Sequence, residues 1–206
     1  MAIRTWYQVD AKGKSSPTTI DSETTVYTPP KTDIWRPSAT EDVFDAPYVY
    51  TPIRSGSFHS ISVSISGPWK TKFDQGGILI VWPAPSGKRN ENKWMKTGIE
   101  YFEGKPALSV VGCDRFSDWS LSPMAAEGGT EATLLAEREG STLWVYVLEG
   151  GQKRALREIK WAFMEGREAD AEMWVGLCAA KPTPDEGDGE SGIEVAFKKI
   201  DLQTRE

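Results

Sequence analysis

The sequence predicts an all-β fold, an antiparallel two-sheet jelly-roll sandwich, and three observations carry that prediction. Strand-like segments recur at regular spacing from Phe58 onward, with Gly-rich turns between them. Helical periodicity is almost absent. The clearest segment, from Ser57 to Ser66, alternates Ile61, Val63 and Ile65 with serines, as a half-buried strand does. No internal repeat or linker interrupts the chain, so residues 1–206 are expected to form one domain, a length common for all-β domains.

Residues 1–34 are expected to be loosely structured or to contribute edge strands. Trp6-Tyr7 and Val26-Tyr27 are their apolar patches, and Ser15-Ser16-Pro17 and Thr28-Pro29-Pro30 mark turns or extended stretches. Thr32 to Pro37 reads as a loop anchored by Trp35. Val43, Phe44, Tyr48 and Val49 begin the regular core. Gly76 to Trp82 is continuously apolar, which suggests a central strand. Lys93 to Pro123 reads as a strand, a turn at Glu103-Gly104, a second strand and then a polar, aromatic loop. Glu131 to Arg138 and Thr142 to Leu148 form a hairpin across Glu139-Gly140-Ser141. Gly150-Gly151 turns the chain into Gln152 to Trp161, and Met173 to Ala180 is a buried strand. Pro182 to Gly192 is an acidic, Gly-rich loop expected to be solvated, and Ile193 to Ile200 closes the fold.

One stretch stands out chemically. If Lys93 to Phe102 is a strand, Trp94, Lys96, Gly98 and Glu100 share one face and Met95, Thr97, Ile99 and Tyr101 the other. Met95 and Ile99 make the second face the core side. The first then presents an aromatic, a cation, a gap and a carboxylate in a row. Lys96 and Glu100 lie roughly 13 Å apart along the strand, with Gly98 leaving a dent between them. The row reads as the floor of a small polar site.

Charge and composition exclude several classes. The net charge of -6 and the scattered lysines and arginines argue against a nucleic-acid partner, which needs a concentrated basic surface. They equally disfavour an anionic membrane, and no segment has the length of a transmembrane helix. The N-terminal stretch has no apolar run long enough for a signal-peptide core. Cys113 and Cys178 are too few for a disulfide framework and read as reduced, buried residues. A cytoplasmic location is therefore expected. His59 is the only histidine, which excludes His-clustered zinc sites, and no phosphate loop or dinucleotide fingerprint is present. No metal and no cofactor are expected. Asp185 to Glu190 is acidic but does not have the spacing of an EF-hand.

Three ordered blocks carry a family resemblance: Lys72-Phe73-Asp74-Gln75-Gly76-Gly77, then Trp94-Met95-Lys96-Thr97-Gly98-Ile99-Glu100, then Ser117-Asp118-Trp119-Ser120. The chain resembles the concanavalin A-like jelly-roll family known as domain of unknown function 1349, which includes the bacterial YesU-type proteins and fungal proteins described as enolase regulators. The resemblance runs from about Trp35 to about Ile200. It departs in the second glycine of Gly76-Gly77 and in the acidic loop. It implies a lectin- or glucanase-like sandwich with a concave face suited to carbohydrate.

The candidate ligand residues are Gln75, Trp94, Lys96, Glu100, Asp118 and Trp119, with Glu100 the candidate catalytic residue. Trp82 and Trp144 join Trp94 and Trp119 as possible stacking platforms, with core packing the competing role for each. A glycosidase needs two carboxylates, and a partner for Glu100 would have to come from Asp74, Asp118 or Glu137 through the fold. Three functions are consistent with this reading: a lectin-like carbohydrate-binding protein, a glycosidase-like enzyme using Glu100, and a regulator that binds a metabolic enzyme.

Overall fold

The computed structural model describes residues 4–126, 128–164, 167 and 170–205. Among these, sixteen strands and three short 3-10 turns occur, and no α-helix. No helix is long and apolar enough to cross a membrane. The N-terminal part contributes β1 (Trp6–Val9), β2 (Ser15–Thr18), β3 (Glu23–Thr28), β4 (Ile34–Trp35) and β5 (Val43–Phe44). Then follow β6 (Tyr48–Arg54), β7 (Phe58–Ser66), β8 (Gln75–Trp82), β9 (Lys93–Phe102), β10 (Lys105–Cys113) and β11 (Ser117–Pro123). The chain ends with β12 (Glu131–Glu139), β13 (Thr142–Glu149), β14 (Gln152–Ile159), β15 (Glu172–Ala180) and β16 (Ile193–Thr204).

Two large antiparallel sheets make the sandwich. The larger has the order β11-β10-β9-β8-β15-β6-β1-β2, and the smaller β14-β13-β12-β7-β16-β3. Between them lies the main core, to which β7 contributes Ile61, Val63 and Ile65, β9 contributes Met95 and Ile99, and β8 contributes Ile78, Ile80 and Trp82. The alternation read from β7 and β9 thus reports burial directly, because one face of each points into this layer.

A second, smaller core lies on the outer face of the larger sheet. Leu79, Val81, Trp94, Val111 and Cys178 are covered there by Ile34, Phe44 and Ala46. The covering segment contains β4 and β5, which pair with each other apart from the two sheets. Every residue of β8 is buried as a result, which explains its continuous apolar run.

This roof is clamped at both ends. At one end the Lys31 backbone N–H donates to the Lys181 carbonyl (2.8 Å), and Thr32 Oγ1 accepts from the Lys181 N–H (3.2 Å). At the other, the buried Arg36 guanidinium donates to Asp42 Oδ1 (2.7 Å), the Asn92 carbonyl (2.8 Å) and the Arg89 carbonyl (3.2 Å).

Some boundaries differ from the sequence reading. Ser117 to Pro123, expected as a loop, is the edge strand β11, paired with β10 from Ala107–Pro123 to Cys113–Ser117. The run from Gln152 leaves its strand at Ile159 and finishes as a 3-10 turn, Lys160–Phe163. The closing strand continues past Ile200 to Thr204. The first strands are regular: β1 lies inside the larger sheet between β6 and β2, and β3 is an edge of the smaller one. The acidic loop is tied down through Asp185, which pairs with Lys181 (2.7 Å) and Lys70 (2.7 Å) and accepts from Thr71 Oγ1.

Gly77 and Gly98 are direct partners across β8 and β9. A Cβ on Gly98 would sit 1.9 Å from the Gly76 carbonyl oxygen, and one on Gly77 would sit 1.9 Å from that of Thr97. Both atoms are backbone and cannot swing away, so the dent seen in the sequence is a steric requirement of this pairing. Gly98→Ala is expected to cost about 2–3 kcal/mol, the upper part of the range for forcing an extra carbon into a packed site. A urea melt of the variant checks this, and an unchanged midpoint would contradict the close approach.

Candidate functional site

The uncovered part of the larger sheet's outer face holds a cavity of about 370 Å³. Its floor is set by strand register. Gln75 pairs with Glu100, Glu100 with Ala107, and Lys96 with Val111, which pairs in turn with Trp119. Side chains of directly opposed residues share a face, so Gln75, Lys96, Glu100, Val111 and Trp119 all project to one side. Asp33 and Trp35 come from the roof, Phe73 from the turn before β8, and Pro182 and Thr183 from the start of the acidic loop.

Two polar groups meet on this floor. In the first, Lys96 Nζ donates to Gln75 Oε1 (2.7 Å) and to Asp33 Oδ1 (3.1 Å). Gln75 is itself oriented, because its Nε2 donates to the Phe73 carbonyl (3.1 Å). In the second, Glu100 Oε2 accepts from Ser109 Oγ (2.6 Å) and from Trp119 Nε1 (3.1 Å). Trp119 is packed edge-on against Phe102 (5.2 Å between centroids) and Phe73 (6.3 Å), which holds its N–H toward the carboxylate.

Glu100 is buried, and burial pushes its carboxyl above the usual carboxylate range. The Lys96 charge and the bonds from Ser109 and Trp119 oppose that rise, while Asp33 adds to it. Both bonds to Glu100 fall on Oε2. Among the described residues no donor reaches Oε1, yet that oxygen is not sealed from solvent. An oriented acceptor without a protein partner, at the floor of an aromatic-walled cavity, is what a hydroxyl-bearing ligand can use.

The structure gathers Gln75, Lys96, Glu100 and Trp119, four of the residues singled out from the sequence. Trp94 does not join them: the roof covers it completely, with Phe44 edge-on at 6.4 Å. Asp118 does not join them either. Because Ser117–Pro123 is a strand, Asp118 points to the opposite side from Trp119, where it pairs with Arg157 (3.1 Å). Trp82 lies in the main core, and Trp144 stacks on Tyr146 in the smaller sheet (5.9 Å). The suggested carboxylate partners are engaged elsewhere, Asp74 with Lys181 (3.0 Å) and Glu137 with Lys153. The second carboxylate of the cavity is Asp33. It lies 63 residues before Lys96, in a loop without periodicity, so no local sequence signal marks it.

Among the described residues no group of three or more His, Cys, Asp or Glu side chains is arranged to hold a metal ion. Cys113 and Cys178 are free and buried, and burial pushes the Cys178 thiol up to about 12.

Comparison with known proteins places this geometry. An uncharacterized protein of Emericella nidulans is 44% identical over 170 residues, 82% of each chain. The Saccharomyces cerevisiae protein named Regulation of enolase protein 1 is 30% identical over 98 residues, 48% of this chain and 46% of that one. A crystal structure of a functionally unknown S. cerevisiae protein superposes with a TM-score of 0.70 at 22% identity, covering 92% of this chain and 91% of that one. Alginate lyase A1-II', of polysaccharide lyase family 7, shares the fold with a TM-score of 0.59 at 8% identity, over 98% and 95% of the two chains. The fold is an antiparallel two-sheet jelly-roll sandwich, and the three sequence blocks lie on or beside β8, β9 and β11. With its family model matching residues 9–205, this chain belongs to the family described as Protein of unknown function (DUF1349).

Proposed function

We propose that this chain is a lectin-like carbohydrate-binding protein whose ligand occupies the cavity floored by Gln75, Lys96, Glu100 and Trp119. The observation that carries this reading is the oriented, unpartnered Oε1 of Glu100 in a cavity that also holds an ammonium with donor capacity left. Lys96 uses two of its three N–H groups on Asp33 and Gln75. Sugar hydroxyls both donate and accept, so a saccharide can serve the acceptor and the donor alike. Trp35, Phe73 and Trp119 supply the apolar walls against which the C–H face of a sugar ring can lie. The volume falls within the range of small-ligand pockets.

A glycan array followed by tryptophan fluorescence titration tests this. Binding is expected to shift the emission, because Trp119 lines the cavity, and Trp119→Phe is expected to remove most of that change. Binding to no glycan would sink the proposal.

A second reading has one specific observation in its favour: the cavity contains two carboxylates, Glu100 and Asp33, and burial holds Glu100 toward its protonated form. Two carboxylates, one of them favoured as the acid, are the groups a glycosidase uses. The binding reading is preferred because Asp33 is already committed to Lys96 and to the backbone N–H of Ile34 (2.7 Å). Oligosaccharide turnover that disappears in Glu100→Gln would favour the enzyme instead.

A further inference from the structure

We infer that the cavity selects uncharged sugar units and rejects acidic ones, an inference that rests on the saccharide-binding reading above. The charged side chains lining the cavity are two acids, Asp33 and Glu100, and one base, Lys96. The one base is already partly neutralised, with one N–H left over. Its ammonium lies 3.1 Å from Asp33 Oδ1 and 2.7 Å from Gln75 Oε1, and the Gln75 oxygen is held toward it by the bond from its own amide to Phe73.

The other basic residues nearby do not supply a substitute. Lys181 is buried between Asp74 and Asp185, and Lys70 pairs with Asp185. Lys72 lies over the rings of Phe73 and Phe102, 4.8 and 5.4 Å from their centroids, and does not line the cavity. Arg36 is turned to Asp42 and to two backbone carbonyls.

A sugar carboxylate entering here would meet Glu100 and Asp33 across a partly desolvated space, where like charges repel most strongly. It would also lack the proton that Glu100 Oε1 needs. A hydroxyl group carries that proton and can still accept from the remaining N–H of Lys96. The net charge of -6 on the whole chain adds a long-range bias against anions.

Calorimetric titration at low ionic strength, with cellotetraose, xylotetraose, a mannuronate tetramer and a glucosamine tetramer, tests the inference. At least one neutral tetramer is expected to bind, and the mannuronate tetramer to bind at least about tenfold more weakly, equivalent to about 1.4 kcal/mol. The gap is expected to narrow in Glu100→Gln, which keeps the side-chain volume and removes the charge. Mannuronate binding as tight as the neutral sugars would overturn the inference and leave the saccharide reading standing. Tighter binding of the glucosamine tetramer than of any neutral sugar would overturn it by reassigning the cavity to cationic sugars. Binding of none of the four would overturn the inference, and the glycan array would then decide the saccharide reading.

Discussion

Replacing Lys181 by Met is expected to destabilise the protein by about 3–5 kcal/mol, the cost of leaving a buried charge without its partner. Lys181 and Asp74 are both fully buried, 3.0 Å apart, and Asp185 closes the group at 2.7 Å. Asp74 also accepts from the backbone N–H groups of Thr71 (2.9 Å) and Lys70 (3.2 Å), so it sets the turn that delivers Gln75 to the cavity floor. A methionine fills the space of the lysine stem and leaves Asp74 uncompensated. At about 2–4 °C per kcal/mol for a chain of this size, the melting temperature should drop by roughly 6–20 °C. Adding Asp74→Leu should recover much of the loss, since a hydrophobic pair can replace a buried ion pair. A loss below about 1 kcal/mol in the single variant, the range of exposed ion pairs, would contradict this account.

The same group sets an acid limit. Lys181, then Lys70 and Thr71, hold the Asp185 carboxyl well below the usual carboxylate range. A depressed folded-state value means that the unfolded chain binds the proton first. The stabilisation from Asp185 is therefore complete above the unfolded value of about 3.9 and is lost as pH falls through the lower folded value.

Glu100→Gln is expected to separate binding from stability. An amide presents only one acceptor oxygen and no charge, so a ligand hydroxyl held by Oε1 should be lost at a cost of about 1.5–3 kcal/mol, or roughly tenfold to 150-fold in affinity. Stability should move the other way. The raised folded-state value of Glu100 means that its contribution favours folding below about 4.3 and is lost as pH rises through the folded value. Burial works against the charged form of this side chain, and the glutamine variant should melt at the same temperature or higher. Titration calorimetry and a thermal melt on one preparation read both effects. A variant that binds normally, or that melts several degrees lower, would show that Glu100 holds structure and does not serve a ligand.

The fold was legible because alternation reports which face is wet, and β7 and β9 each have one face in the main core. The strand-borne part of the site was legible for the same reason: Lys96 and Glu100 are four residues apart on β9, and register brings Gln75 beside Glu100. Contributions from irregular segments were not. Asp33, Phe73 and Thr183 reach the cavity from loops, and Trp35 from the two-residue strand β4, and the placement of all four depends on distant contacts. Trp94 reads as an exposed ring only while the roof is unknown. Asp118 reads as a loop residue until pairing with β10 fixes its direction, after which the alternation that exposes Trp119 to the cavity sends Asp118 away.

The roof between its two clamps has an evolutionary consequence. The floor residues sit on strands whose spacing is fixed by hydrogen-bonded pitch, whereas Asp33 and Trp35 sit on a segment outside both sheets, clamped at Lys181 and through Arg36. Substitutions or insertions between those anchors change one wall of the cavity without shifting any strand register. The shape of that wall can therefore change while Gln75, Lys96 and Glu100 keep their places.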